Sequence, residues 1–179
     1  MEKIIFLVRH AEPVRIDTQR RFFGQSDPDL SAVGILQAER LGEDLKNYAI
    51  QTVYTSDLIR AQQTAARIGN RQQCRCVRIR EFREICLGLW EGQTFQEIQT
   101  GYPEEYQKRG EDIAGYRIPG GESFADLQQR VLPAFHQVVN TTDGNLAIVA
   151  HAGVNRTILC HLLERPLQEF FLYRRIMRQ

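Results

Sequence analysis

Two stretches decide the fold: FLVRHAEP at residues 6–13 and LAIVAHAGV at residues 146–154. In each, an apolar run stops at a histidine: Ile4 to Val8 before Arg9 and His10, and Leu146 to Ala150 before His151. A short continuous apolar run reads as a strand buried on both faces, as in a parallel sheet. One strand ending in polar residues means little, because every strand must end. Two that each deliver an imidazole carry information. In an open parallel sheet, ligands sit outside the carboxyl ends of the strands, where the strand order reverses.

The intervening sequence supplies the helices that such a sheet needs. An amphipathic helix starts near Ser31, with Leu30, Ala38, Leu41 and Leu45 on one face. A short strand, Thr52 to Thr55, precedes a helix from about Asp57 to Ile68, and Val77 and Ile79 read as another strand. Residues 94–120 hold a helix-like piece and then a stretch rich in Gly, Pro and aromatics. Ser123 and Asp126 form S-x-x-D, a variant of the capping box. The helix they open carries its apolar face through Val131, Leu132, Phe135 and Val139. Val154 onward reads as helix. Strands alternating with helices predict an α/β fold, a three-layer sandwich whose mostly parallel central sheet has helices on both faces. One domain is expected over residues 1–179.

Composition narrows the function. With 42% hydrophobic and 25% charged residues and a net charge of +1, nothing favours nucleic acid or a membrane surface as partner. The apolar run beside Glu2 is too short for a signal peptide or a membrane span. The cysteines Cys74, Cys76, Cys86 and Cys160 show no disulfide framework, and the lone C-x-C lacks the second pair of a zinc site. Reduced thiols in a cytoplasmic protein are the expectation.

The strand VYTS adds a third group to the two histidines. Ser56 or Asp57 can cap the helix that follows, and Arg60 lies in its first turn, near the same sheet edge. Arg9, His10, Arg60 and His151 are therefore expected to converge. Two guanidiniums and two imidazoles with no obvious acidic counterweight describe a pocket for a dianion, most naturally a phosphoryl group. Phosphoryl transfer needs an in-line nucleophile and donors for the charged oxygens. A neutral imidazole is a capable nucleophile near pH 7, and adjacent arginines keep it unprotonated. The leaving alkoxide needs a proton, for which Glu12, Glu84 and Glu122 are all candidates.

Six motifs, in order along the chain, resemble those of the histidine phosphatase superfamily, also called the phosphoglycerate mutase-like family. They are LVRHAE, RFFGQSDPDLSAVGILQA, VYTSDLIRAQQTA, FREICLGLWEG, PGGES and VAHAGV. The resemblance implies a phosphoglycerate mutase-like fold and a phosphohistidine mechanism. His10 attacks phosphorus while Arg9, Arg60 and His151 hold the phosphoryl oxygens. Glu84 stands in the family's acid position, protonating the leaving oxygen and then activating water, and Glu122 either supports the substrate pocket from behind or is an auxiliary residue of it. No metal or other cofactor is implied. Ala11 replaces the family's usual glycine, and Ile16 replaces an asparagine that touches phosphate in many members, a contact Gln25 can supply.

The expected activity is hydrolysis of a small phosphomonoester, with α-ribazole 5′-phosphate among the candidates. The chain lacks the longer insert typical of the mutases. Mutase-type phosphoryl transfer and a catalytically silent phosphate-binding module are the alternatives. The expected partner is the small phosphorylated substrate, and the protein is expected as a monomer or homodimer. His136 and His161 read as structural or surface residues and Glu12 as charge compensation. Trp90, Tyr102, Tyr106 and Tyr116 either line the leaving-group pocket or pack a lid. Arg174, Arg175 and Arg178 read as a solvated helix face.

Overall fold

The computed structural model describes residues 3–169 and Phe171. The elements in chain order are β1 (Ile5–Arg9), α1 (Ala32–Asp44), β2 (Ile50–Thr55), α2 (Ile59–Gln72), β3 (Arg75–Arg78), α3 (Phe95–Gly101), α4 (Pro103–Glu111), α5 (Phe124–Asn140), β4 (Asn145–Ala150) and α6 (Ala152–Leu162). The four strands pair in the order β1-β4-β2-β3, and every pairing is parallel.

Side chains alternate across the sheet and build a core on each face. Tyr54, Leu146 and Ile148 pack toward Leu127 and Phe135 of α5 and Ile158 of α6. Val53, Ala147 and Val149 pack the other way, with Ala61, Ala65 and Ile68 of α2. This is the expected three-layer sandwich. β4 lies between β1 and β2, and its residues 146–150 are completely buried, which explains an unbroken apolar run where a half-exposed strand would alternate.

The connections place the site. After β1 and β2 the chain crosses to α1 and α2, which pack together on one face; after β4 it turns to α6, which packs with α5 on the other. Neighbouring strands whose chains leave toward opposite faces open a crevice at their carboxyl ends.

Local chemistry sets the helix ends. Ser31 caps α1 by accepting from Gly34 N–H. Ser123 and Asp126 form both bonds of the expected capping box at α5, and Thr94 and Glu97 form another at α3. α2 differs from expectation: its cap position is Leu58, with no side-chain cap, and neither Ser56 nor Asp57 fills it. The Ser56 hydroxyl accepts from Leu58 N–H, while Asp57 is taken up in a two-point ion pair with Arg83. β3 ends before Ile79, whose N–H still donates to Thr55 O at 2.8 Å. No helix among the described residues is long and apolar enough to cross a membrane. Arg174, Arg175 and Arg178 lie outside the described residues.

Candidate active site

β1 and β4 run side by side with Arg9 opposite Ala150, so the next residues, His10 and His151, leave the sheet together. Their rings lie 5.1 Å apart, centroid to centroid. His10 N–H donates to Ala150 O at 3.0 Å, which extends the ladder by one bond and fixes the ring's point of departure.

Arg60 enters from the first turn of α2 and is completely buried. Its Nε–H donates to His10 Nε2 and its Nη2 to His151 Nδ1, both at 3.3 Å. It also donates to Gly24 O at 2.7 Å and to Ser26 O, and it stacks 4.8 Å from the centroid of Phe23. One guanidinium therefore ties both imidazoles to the loop 24–26.

These bonds assign the tautomers. His10 Nδ1 lies 2.8 Å from Ala11 O, which can only accept, so Nδ1 carries the proton and Nε2 keeps its lone pair. His151 is the reverse. Its Nδ1 accepts from Arg60, so Nε2 carries the proton, and that buried atom has no partner among the described residues. Burial first, then the charge of Arg60, holds the His10 pKa down at about 3. Burial first, then the charges of His10 and Arg60, holds His151 well below the ordinary histidine value. Both rings are neutral at pH 7. Side by side they present a lone pair for attack and an N–H for an anionic oxygen.

Arg9 is exposed at the end of β1, and its guanidinium makes no hydrogen bond or ion pair with another described residue. Its charge acts on both imidazoles. The four residues drawn from the sequence thus converge. The expectation of no acidic counterweight does not hold: Asp27 Oδ1 lies 3.9 Å from Arg60 Nη1, and Glu84 and Glu91 also act on the Arg60 charge.

Glu84 is buried, and both its oxygens are held by backbone. Oε1 accepts from Ile85 N–H, and Oε2 accepts from Gly153 N–H in the first turn of α6, each at 3.0 Å. Position 153 must be glycine for this approach, since a Cβ there would lie 2.2 Å from Glu84 Oε1. The other two acids are placed differently. Glu12 sits near Ser31 Oγ and Arg15 at α1, in keeping with charge compensation. Glu122 is gripped by Arg130 at 2.7 and 2.9 Å and accepts from Cys86 N–H.

Gln25, offered as a substitute phosphate contact, and Glu122, expected behind or at the edge of the substrate pocket, both hold protein groups. Gln25 Nε2 donates to Glu84 O at 3.0 Å. Arg130, oriented by Glu122, donates to the carbonyls of Glu81, Arg83 and Glu84. Together they brace the segment that carries Glu84. Arg130 had no mark in the sequence, where it is one more helix arginine.

Ile16, in the place of a family asparagine, is 92% exposed and buries no contact. Trp90 is buried against Phe22, with Tyr106 and Tyr116 at 6.3 Å from its ring, so it packs beneath the α4 region. His136 and His161 face each other on the surface of α5 and α6, with their Nε2 atoms 3.1 Å apart.

The profile of the histidine phosphatase superfamily, branch 1, matches residues 5–175. The phosphoserine phosphatase 1 of Hydrogenobacter thermophilus is 32% identical over 175 residues, which cover 97% of this chain and 82% of that protein. A 6-phosphofructo-2-kinase/fructose-2,6-bisphosphatase of Gallus gallus is 32% identical over 169 residues, 93% of this chain but only 34% of that longer protein. Among solved structures, a putative α-ribazole-5′-phosphate phosphatase from Escherichia coli superposes with a TM-score of 0.86 at 25% identity, covering 96% of this chain and 85% of its own. With the fold, the paired histidines and a profile spanning nearly the whole sequence in agreement, the chain belongs to branch 1 of the histidine phosphatase superfamily and is a phosphoric monoester hydrolase.

Proposed function

We propose that this protein, as one cytoplasmic domain, hydrolyses a small phosphomonoester through a phosphohistidine at His10. The observation that carries the reading is the tautomer pair. His10 Nε2 has a lone pair, and beside it His151 Nε2–H is a buried donor with no acceptor among the described residues. A buried donor left unpaired costs about 1–3 kcal/mol, a cost that a phosphoryl oxygen removes.

In the first step the His10 Nε2 lone pair forms the N–P bond as the P–O bond to the leaving alkoxide breaks. The 3.3 Å contact from Arg60 Nε–H is long enough to yield to phosphorus. Arg9, Arg60 and His151 take the charge on the equatorial oxygens. Glu84 gives its proton to the leaving oxygen. In the second step water attacks phosphorus, Glu84 takes the water's proton, and His10 departs with its lone pair restored. Phosphate is released. Gln25, Glu122 and Arg130 keep Glu84 in place.

The substrate is drawn from the chemistry named by the relatives: α-ribazole 5′-phosphate, phosphoserine or a sugar phosphate such as fructose 2,6-bisphosphate. Of these, α-ribazole 5′-phosphate is the reading we favour, from the structural likeness to the E. coli protein. Phosphate release from a panel of these compounds tests it. The favoured substrate should stand out in kcat/KM, and a flat response across the panel would remove that assignment. A silent binding module would release no phosphate from any of them.

A further inference from the structure

Glu91 has no part in the steps above, yet its carboxylate accepts four hydrogen bonds from one short loop. Oε1 accepts from Gly24 N–H at 3.0 Å, Ser26 N–H at 3.1 Å and Ser26 Oγ–H at 2.6 Å. Oε2 accepts from Gln25 N–H at 3.2 Å. Three consecutive N–H groups turned onto one carboxylate form an anion nest, filled here by the protein's own side chain. The approach is tight: a Cβ at Gly24 would lie 2.6 Å from Glu91 Oε2, so residue 24 has to be glycine.

Turning the N–H groups toward Glu91 directs the opposite side of the loop elsewhere. The carbonyls of Gly24 and Ser26, residues of that same nest, both accept from Arg60. The chain of contacts is continuous. Glu91 sets the loop, the loop's two carbonyls set Arg60, and Arg60 touches both His10 Nε2 and His151 Nδ1. Glu91 also adds negative charge near a guanidinium whose burial disfavours its charged form.

We infer that Glu91 is a positioning residue for phosphoryl transfer, acting through the loop 24–26 on Arg60 and through Arg60 on both imidazoles. The inference rests on the phosphohistidine reading. It makes a demand that a merely structural role does not, because removing Glu91 should matter only while Arg60 is there to be misplaced.

Glutamine at 91 keeps the shape but sets its NH2 group against a loop N–H, where no hydrogen bond can form. Glu91→Gln should lower kcat/KM by roughly ten- to a hundredfold, less than removing an oxyanion donor outright. It should weaken inhibition by vanadate, a mimic of the pentacoordinate phosphoryl group, by a similar factor. The decisive measurement is a double-mutant cycle with Arg60→Lys, read in both kcat/KM and vanadate affinity. Glu91→Gln should cost little more once Arg60 is replaced. Multiplying losses, or wild-type kinetics for Glu91→Gln, would overturn the inference. If Glu91→Gln does not fold, Ser26→Ala, which removes only the hydroxyl bond, takes its place in the cycle with a smaller loss and the same non-additivity. Failure of the reading beneath is separable, since wild-type protein without phosphatase activity, or activity that survives His10→Ala, points to the mechanism and not to Glu91.

Discussion

Replacing Gly153 with alanine should separate catalysis from stability. The added Cβ would sit 2.2 Å from Glu84 Oε1 and 3.3 Å from Leu127 Cδ2. Ordinary contact begins near 3.4 Å, so Oε1 must move away by about 1 Å, which breaks its 3.0 Å bond from Ile85 N–H and turns the carboxylate on the Gly153 N–H that holds Oε2. The backbone pays little for this change. Gly153 is the second residue of α6, where glycine to alanine is worth about 0.5–1 kcal/mol in favour of the helix. The lost hydrogen bond costs about the same, 0.5–1.5 kcal/mol. The denaturation midpoint of Gly153→Ala should therefore stay near wild type. Phosphorylation of His10 should not, because misplacing a reacting group by about 1 Å costs on the order of a hundredfold. Burst kinetics isolates that step. An alkyl phosphate, whose leaving group needs a proton, should be slowed far more than a nitrophenyl phosphate, which scarcely needs one. A wild-type burst rate with the alkyl substrate, or equal losses with both, would refute Glu84 as the proton donor.

Acid should destabilise the fold through His10. Its pKa of about 3 lies below the unfolded value of 6.5, so the unfolded chain binds the extra proton between those values. The stability is present in full above pH 6.5 and is lost as pH falls toward 3, by about 5 kcal/mol for His10. His10→Gln should flatten the pH dependence of the urea midpoint between pH 6.5 and 4, and an unchanged slope would contradict the burial argument. Arg60 serves both turnover and folding, because it is completely buried and donates to two backbone carbonyls. Arg60→Ala should lose about 2–4 kcal/mol of stability as well as a hundredfold or more in rate, and a variant of wild-type stability would show that those bonds do not hold the loop. Phosphatase activity should persist in excess chelator, whereas loss reversed by zinc or manganese would move the chemistry to a metal.

The sequence made the central features legible because burial leaves a strong mark. β4 could be read from residues 146–150 because both its faces are covered, and His151 stood out by ending that run. Arg9 and His10 followed by the same logic, and Arg60 by its place after VYTS. Glu84 could not be told from Glu12 or Glu122 by residue type alone, and the backbone N–H groups of residues 85 and 153 that hold it meet only in three dimensions. Glu91 was hidden for a similar reason, because its partners lie more than sixty residues earlier in the chain. The α2 cap was misread because Asp57 had a stronger partner in Arg83, an ion pair that no local pattern announces.

The central claim is that phosphorus becomes bonded to His10. Its most direct test is to mix enzyme with a 32P-labelled alkyl phosphomonoester, quench in alkali within one turnover, and locate the label by peptide mapping. A phosphohistidine mechanism requires label that is stable in base, labile in acid, carried on the peptide containing His10 and absent from His10→Ala. Active enzyme that carries no label, or label that persists in His10→Ala, would contradict it.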